Sequence, residues 1–335
     1  MTHHLNRLFG VIALSLGLML SAPMAQAQVD PTSSAVSEDS MFEALGTAGT
    51  SDAISGRVSI PNKNAGTLIK PDNKNWAGFQ RGALPWIFVV ALGGMIALLA
   101  AFYLIKGRIR VEHGFSGRTI LRFSAIERFA HWTLSSTFII LALTGVNVVI
   151  GRSVILPLVG EAAFGTMTQW GKLAHNFLAW PFMVALVLII IFWVAHNIPS
   201  KLDLVWIKQG GGLFKKGVHP PAKKFNAGQK VIFWSVVIGG VALSFTGYMM
   251  LFPLQAGTPS DWQLYQTIHG LVAAGLSAVI IAHIYIGSVG MEGAFDAMAS
   301  GQVDENWAKE HHSLWVEEVK AREGQTVAGR THPAE

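Results

Sequence analysis

The stretch IHGLVAAGLSAVIIAHIY, residues 268–285, carries two histidines, His269 and His283, inside an otherwise apolar run. At about 1.5 Å and about 100° per residue, the fourteen steps between them advance a helix by ~21 Å and turn it by about 1400°, some 40° short of four full turns. Both imidazoles then leave one face of the helix, near the two opposite edges of a bilayer. Two other apolar runs each carry one histidine at a matching depth: His131 where one run begins and His175 where the next begins. Four histidines in two level pairs are the arrangement needed to hold two haems, one above the other, across a membrane.

Working outward, the composition agrees with a bilayer setting: 51% of the 335 residues are hydrophobic and 13% are charged, with a positive mean hydropathy. The chain has no cysteine, which excludes a disulfide framework, thiolate-bound iron–sulfur clusters and covalently attached c-type haem. Any metal must be held by histidine, methionine or carboxylate. The formal charge of +5 is small and is sorted by membrane side rather than gathered in one patch, so nucleic acid is not an expected partner.

Residues 1–27 read as a secretory signal: Arg7, an apolar run from Leu8 to Leu20, then Ala25-Gln26-Ala27. An uncleaved anchor is the other reading of this segment. Residues 28–83, rich in Gly, Ser, Asn and Pro, read as a periplasmic extension with little core of its own: a mobile tail, or one in which Val58-Ser59-Ile60-Pro61 and Trp76 dock on a partner. Five spans of about 20 apolar residues follow: Leu84 to Ile105, Phe129 to Ile150, Leu173 to Ala195, Gln229 to Phe252 and Gln266 to Met291. The loop after the third span holds Lys201, Lys208, Lys215, Lys216, Lys223 and Lys224. Lys106, Arg108, Arg110, Arg118 and Arg122 lie between the first two spans. By the positive-inside rule both loops are cytoplasmic, as is the tail 292–335, and the mature N-terminus is periplasmic.

This topology pairs His131 with His283 on the cytoplasmic side and His175 with His269 on the periplasmic side. A lone intramembrane histidine is more often a hydrogen-bonded packing residue, but four in two level pairs favour axial ligation. Gly145 follows His131 by fourteen residues, which places it inward at the depth of the periplasmic pair. There a missing side chain would let a macrocycle approach the backbone. Gly247, in Phe245-Thr246-Gly247, can be read the same way or as a site of tight helix packing.

From about Ala125 to Val319 the chain resembles the cytochrome b (gamma) subunit of respiratory formate dehydrogenase. The segments that carry the resemblance are Glu127-Arg128-Phe129-Ala130-His131-Trp132, Lys172-Leu173-Ala174-His175, His196-Asn197-Ile198-Pro199, Phe225-Asn226-Ala227-Gly228-Gln229-Lys230, Ile268-His269, His283-Ile284-Tyr285 and Trp307-Ala308-Lys309-Glu310-His311-His312. The implied fold is an all-α membrane protein: a transmembrane four-helix di-haem cytochrome b bundle over 125–291, plus one additional N-terminal transmembrane helix over 84–105. The implied function is electron transfer. An iron–sulfur (beta) subunit and a molybdenum- or tungsten-containing catalytic (alpha) subunit on the periplasmic side would feed two haem b groups, and quinone would be reduced at the cytoplasmic side of a bacterial inner membrane. Membrane lipid and further copies of the complex would be the remaining contacts. This chain alone would not oxidise formate.

The resemblance gives Asn226, Gly228 and Gln229, with His283 close by, a place at the quinone pocket. Helix capping explains Asn226 and Gln229 equally well, while a helix N-terminus would also favour a quinone oxygen gaining negative charge. Arg128 would suit a haem propionate or a lipid phosphate. His196 would line the quinone region or meet lipid headgroups. His311 and His312 fall on an expected amphipathic cytoplasmic helix, and His113 and His219 in basic interfacial segments. The competing functions are the two-haem subunit of a nickel–iron hydrogenase or thiosulfate reductase and, in another class, a haem-free membrane anchor or a small transporter.

Overall fold

The computed structural model describes residues 71–212 and 217–330. The signal segment, the Val58-Ser59-Ile60-Pro61 stretch, Lys215 and Lys216 lie outside them. Among the described residues, five helices are long and apolar enough to cross a membrane: α1 (Asn75–Lys106), α2 (Ala125–Val154), α3 (Glu161–His196), α5 (Ala227–Leu251) and α6 (Pro259–Gly290). A short α4 (Lys201–Lys208) lies between α3 and α5. After α6 come α7 (Asp296–Ala299) and α8 (Glu305–Arg330). The only sheet among the described residues pairs β1 (Thr119–Leu121) with β2 (Gln302–Asp304), antiparallel, with Ile120 opposite Val303. The expected all-α membrane architecture with an extra N-terminal helix is therefore found.

Every span begins before its most apolar stretch, and the start signals are local. Ser124 accepts from the Glu127 backbone N–H, and the Glu127 carboxylate accepts from the Ser124 N–H, so α2 begins with a reciprocal cap at Ala125 rather than at Phe129. Thr258 and Asp261 do the same for α6, with Pro259 at its first position. Helix α3 starts at Glu161, directly after Gly160 at φ +79°, a turn conformation that suits glycine. His175 and His269 thus lie well inside their helices and do not open them. Apolar runs locate the lipid-buried part of a helix, whereas caps locate its ends.

The bundle is two hairpins. Helix α2 packs along α3 and α5 along α6; α3 also touches α5, whereas α2 and α6 approach each other only slightly. Helix α1 lies against α6, where Leu84 and Phe88 are buried with Ala274. Trp76, read as docking on a partner or as part of a mobile tail, packs on Trp262 of α6, with ring centres 6.5 Å apart.

The lysine-rich end of the bundle is closed by the tail. Val303, Trp307, Ala308, Trp315 and Val316 are buried in one core with Phe123, Ala130, Trp193 and Phe225. The Asp304 carboxylate accepts from Ser116, Gly117 and Asn306. Glu310 accepts from the Glu112 and His113 backbone N–H groups and lies 2.8 Å from the His113 ring nitrogen; burial raises its pKa, but the His113 ring and then these backbone bonds lower it overall. His311 and His312 fall on the helix expected for them, but His312 does not face solvent as an amphipathic helix would suggest. That side chain is fully buried, 1% exposed, and the helix breaks there.

Candidate haem and quinone sites

Each pair of histidines expected from the sequence meets across the gap between the hairpins. His131 of α2 and His283 of α6 have ring centres 6.2 Å apart at the lysine-rich end. His175 of α3 and His269 of α6 have ring centres 6.3 Å apart at the opposite end. Two imidazoles on opposite sides of one metal, each nitrogen about 2 Å from it, have ring centres about 6 Å apart. Both separations fit a six-coordinate iron, and they are too long for hydrogen-bonded or stacked histidines.

The surroundings of the two pairs differ. At the end remote from the lysines, the Thr144 hydroxyl of α2 lies 2.8 Å from His175 Nδ1. The Thr246 hydroxyl of α5 lies 2.9 Å from His269 Nδ1. Next to each threonine is a glycine whose added Cβ would sit beside the same ring, 3.7 Å from His175 Cε1 at Gly145 and 3.4 Å from His269 Cε1 at Gly247. Those are ordinary contacts, so the rings by themselves do not demand glycine; the open space next to them is what the edge of a macrocycle would occupy. One Thr-Gly dipeptide on each hairpin therefore flanks this pair.

At the lysine-rich end His131 stands edge-on to Trp132 and near Trp193. Its Nδ1 is buried without a hydrogen-bond partner. Such an orphaned polar atom in an apolar bundle costs about 1–3 kcal/mol and marks a ring held for something other than internal bonding. Arg128, read as a partner for a haem propionate or a lipid phosphate, bonds through Nη1 to the Ala299 carbonyl at 2.6 Å, tying α2 to the end of α7.

A cleft of about 580 Å3 opens at this end. Its lining includes His196, Trp206, Phe225, Asn226, Lys230 and Arg122. Of the residues expected at a quinone pocket, Asn226 lines it, and His196 takes the cleft side of its two readings. Gly228 is turned towards Trp206, whose Cη2 would lie 3.0 Å from an added Cβ. Gln229 and Asn226 form a reciprocal cap: the Gln229 N–H donates to Asn226 Oδ1 at 3.0 Å and the Asn226 N–H to Gln229 Oε1 at 3.1 Å. This is the capping reading of the two residues. His283 is not part of the cleft lining.

Arg122 was read only as one of several topology-setting charges, yet it is 4% exposed and stacked among Phe123, Trp307 and Trp315 at 5.1–5.5 Å. Its Nη2 donates to the Lys224 carbonyl and to His312 Nε2, and burial lowers its pKa to about 9. It fixes where the loop before α5 meets the tail. A single arginine in a basic loop gives no sequence signal for that role; only Trp307 and Trp315, distant in sequence, reveal it.

An antiparallel pair of helical hairpins with facing histidines is the architecture of a membrane cytochrome b. The model of the prokaryotic cytochrome b561 family matches residues 122–301, and the chain belongs to that family. It is thereby an integral membrane protein of a haem b family. More narrowly, it is 32% identical over 210 residues, 62% of this chain and 94% of the relative, to the cytochrome b556 subunit of the nitrate-inducible formate dehydrogenase of Escherichia coli K12. It is 27% identical over 205 residues to the cytochrome b556 subunit of a second E. coli formate dehydrogenase, covering 60% and 94% of the two chains. It is 29% identical over 204 residues to a formate dehydrogenase cytochrome b556 subunit of Haemophilus influenzae, covering 59% and 83%. The resemblance read from the histidine-bearing segments is borne out.

Proposed function

We propose that this chain is the membrane cytochrome b subunit of a formate dehydrogenase, carrying electrons from a periplasmic iron–sulfur subunit to quinone at the cytoplasmic side of the bacterial inner membrane. The observation that carries the reading is the pair of histidine couples, 6.2 and 6.3 Å between ring centres, at opposite ends of one bundle. The names of the relatives supply the donor complex, whose catalytic subunit would hold molybdenum or tungsten. Lysine and arginine in the 106–122 and 201–230 segments supply the orientation.

Two haem b groups, when bound, supply one-electron relays at their irons. His175 and His269 would hold one near the donor, and His131 and His283 the other near the lysine-rich end. Gly145 and Gly247 leave room beside the first pair. The cleft by His196 and Asn226 is the place for the quinone headgroup, with Trp206 and Phe225 as apolar walls and the Lys230–Asp203 ion pair, 2.9 Å apart, as its polar side. Gly228 and Gln229 would shape the helix start behind Asn226, and His283 would link the haem to the acceptor. Quinone takes two electrons, arriving singly, and two protons from the cytoplasmic water that reaches the cleft. Negative charge then moves inward while protons are consumed inside, which separates charge across the membrane.

The test is the complex purified from native membrane. Two non-covalent haem b per copy of this chain are expected, with copurifying iron–sulfur and molybdenum or tungsten subunits. A haem-free preparation, or a different soluble partner, overturns the reading.

A further inference from the structure

Thr144 and Thr246 do more than fill space. Each hydroxyl has one proton and lies within bonding distance of a carbonyl in its own helix: Thr144 Oγ1 is 2.8 Å from the Ile140 oxygen, and Thr246 is close to the Ala242 oxygen at 2.6 Å. With that proton donated to the backbone, the oxygen lone pair is what faces the histidine. His175 and His269 must then donate their Nδ1 protons, at 2.8 and 2.9 Å. This fixes the tautomer and leaves Nε2 of each ring unprotonated and free to coordinate. An acceptor behind a ligating imidazole also makes that imidazole a stronger electron donor to its metal. At the other end His131 Nδ1 has no partner.

We infer that Thr144 and Thr246 are positioning residues that bias the His175/His269 haem towards its ferric form, so that its reduction potential lies below that of the His131/His283 haem. The inference rests on the proposed haem ligation. Electrons entering at the Thr-bearing pair then run downhill to the other pair, and the direction of flow is built into two hydroxyls of the same Thr-Gly dipeptide on two hairpins.

The experiment is a redox titration of the haem absorbance in the purified complex, with Thr144→Val and Thr246→Val singly and together. The two haems are told apart by the bands that remain in His175→Ala. Valine keeps the shape and removes the acceptor. The potential of the His175/His269 haem is expected to rise in each single variant and further in the double, with the other haem unmoved. Thr144→Ser and Thr246→Ser should restore the wild-type value. Unchanged potentials in valine variants that retain both haems overturn the inference. So does an equal shift of both haems, which a general loosening of the bundle would give. If the double variant does not assemble, the single variants and their serine counterparts decide the question. A wild-type complex without haem, or full haem content in His175→Ala, would overturn the ligation itself and is distinguishable from either result.

Discussion

The two ends of the bundle hold their histidine rings in different surroundings. At the end remote from the lysines, each histidine is backed by a threonine and flanked by a glycine from its own hairpin. At the lysine-rich end, His131 has a bare Nδ1 and aromatic neighbours, and the same end of the bundle carries an open cleft and a docked tail. The first end is suited to holding a group rigidly and electronically tuned. The second keeps room for something to arrive and leave. Hydrogen bonds behind a ligand lock orientation, whereas a mobile acceptor needs an accessible, partly polar wall.

The largest effects should come from removing ligands one end at a time. His175→Ala or His269→Ala is expected to halve the haem content, leaving the spectrum of the lysine-end haem, while His131→Ala or His283→Ala should leave the other. Loss of the same haem in His175→Ala and His131→Ala would break the pairing. Next in size, Gly145→Leu or Gly247→Leu puts a branched side chain into the space beside His175 or His269. Haem loss confined to that end is expected, with the His131/His283 haem retained in quantitative haem extraction. Retention of both haems would show that the glycines serve helix packing alone.

How much of this was legible in the sequence follows from the range over which each signal acts. The histidine pairing was readable, because a fourteen-residue spacing on one apolar helix and the depth of His131 and His175 are properties of single segments. The Ser124-x-x-Glu127 and Thr258-x-x-Asp261 caps are equally readable and place two helix starts that hydropathy misses. The Thr144–His175 and Thr246–His269 bonds were not readable, since threonine in a membrane helix usually satisfies only its own backbone. The tail was misjudged because burial of His312 depends on Arg122 and Lys223, far away in the chain. A histidine on a charged helix is assigned to water until its distant neighbours are known.

A smaller effect is expected at the start of α5. Asn226→Ala removes the cap and should cost roughly 0.5 to 2 kcal/mol of helix stability. Asn226→Ser keeps a capping oxygen and removes only the amide. If Asn226 holds quinone, both variants should keep two reducible haems yet reoxidise slowly with quinone in stopped-flow measurements. Normal reoxidation in the serine variant, at limiting as well as saturating quinone, would reduce Asn226 to a cap and take the contrast between the two ends down to haem surroundings alone.

The smallest effect is one of pH, and it too should be confined to the lysine-rich end. His312 donates from Nδ1 to the Lys223 carbonyl at 2.8 Å and accepts at Nε2 from Arg122 at 3.0 Å, a pattern that requires the neutral ring. Burial, and then the positive charge of Arg122, push its pKa well below 6.5. Burial likewise lowers His311 to about 4. An undocked tail would take up protons on both rings near the ordinary histidine pKa of about 6.5, while the docked tail does not. As pH falls below that value the undocked state therefore gains protons and docking weakens, continuing down to the depressed pKa values. Asp304 and Glu310, whose pKa values are also lowered by their hydrogen bonds, act in the same direction at lower pH. Hydrogen exchange should then show protection of residues 302–320 declining, relative to the intrinsic rate at each pH, between pH 7 and about pH 5. The backbone around His175 and His269 should keep its protection. His312→Gln is a useful companion variant, because its amide can replace one bond at a time but cannot titrate. Pairing it with His311→Gln should flatten the dependence over that range. A tail equally protected throughout, or an equal loss at both ends of the bundle, would show that these buried rings do not govern docking.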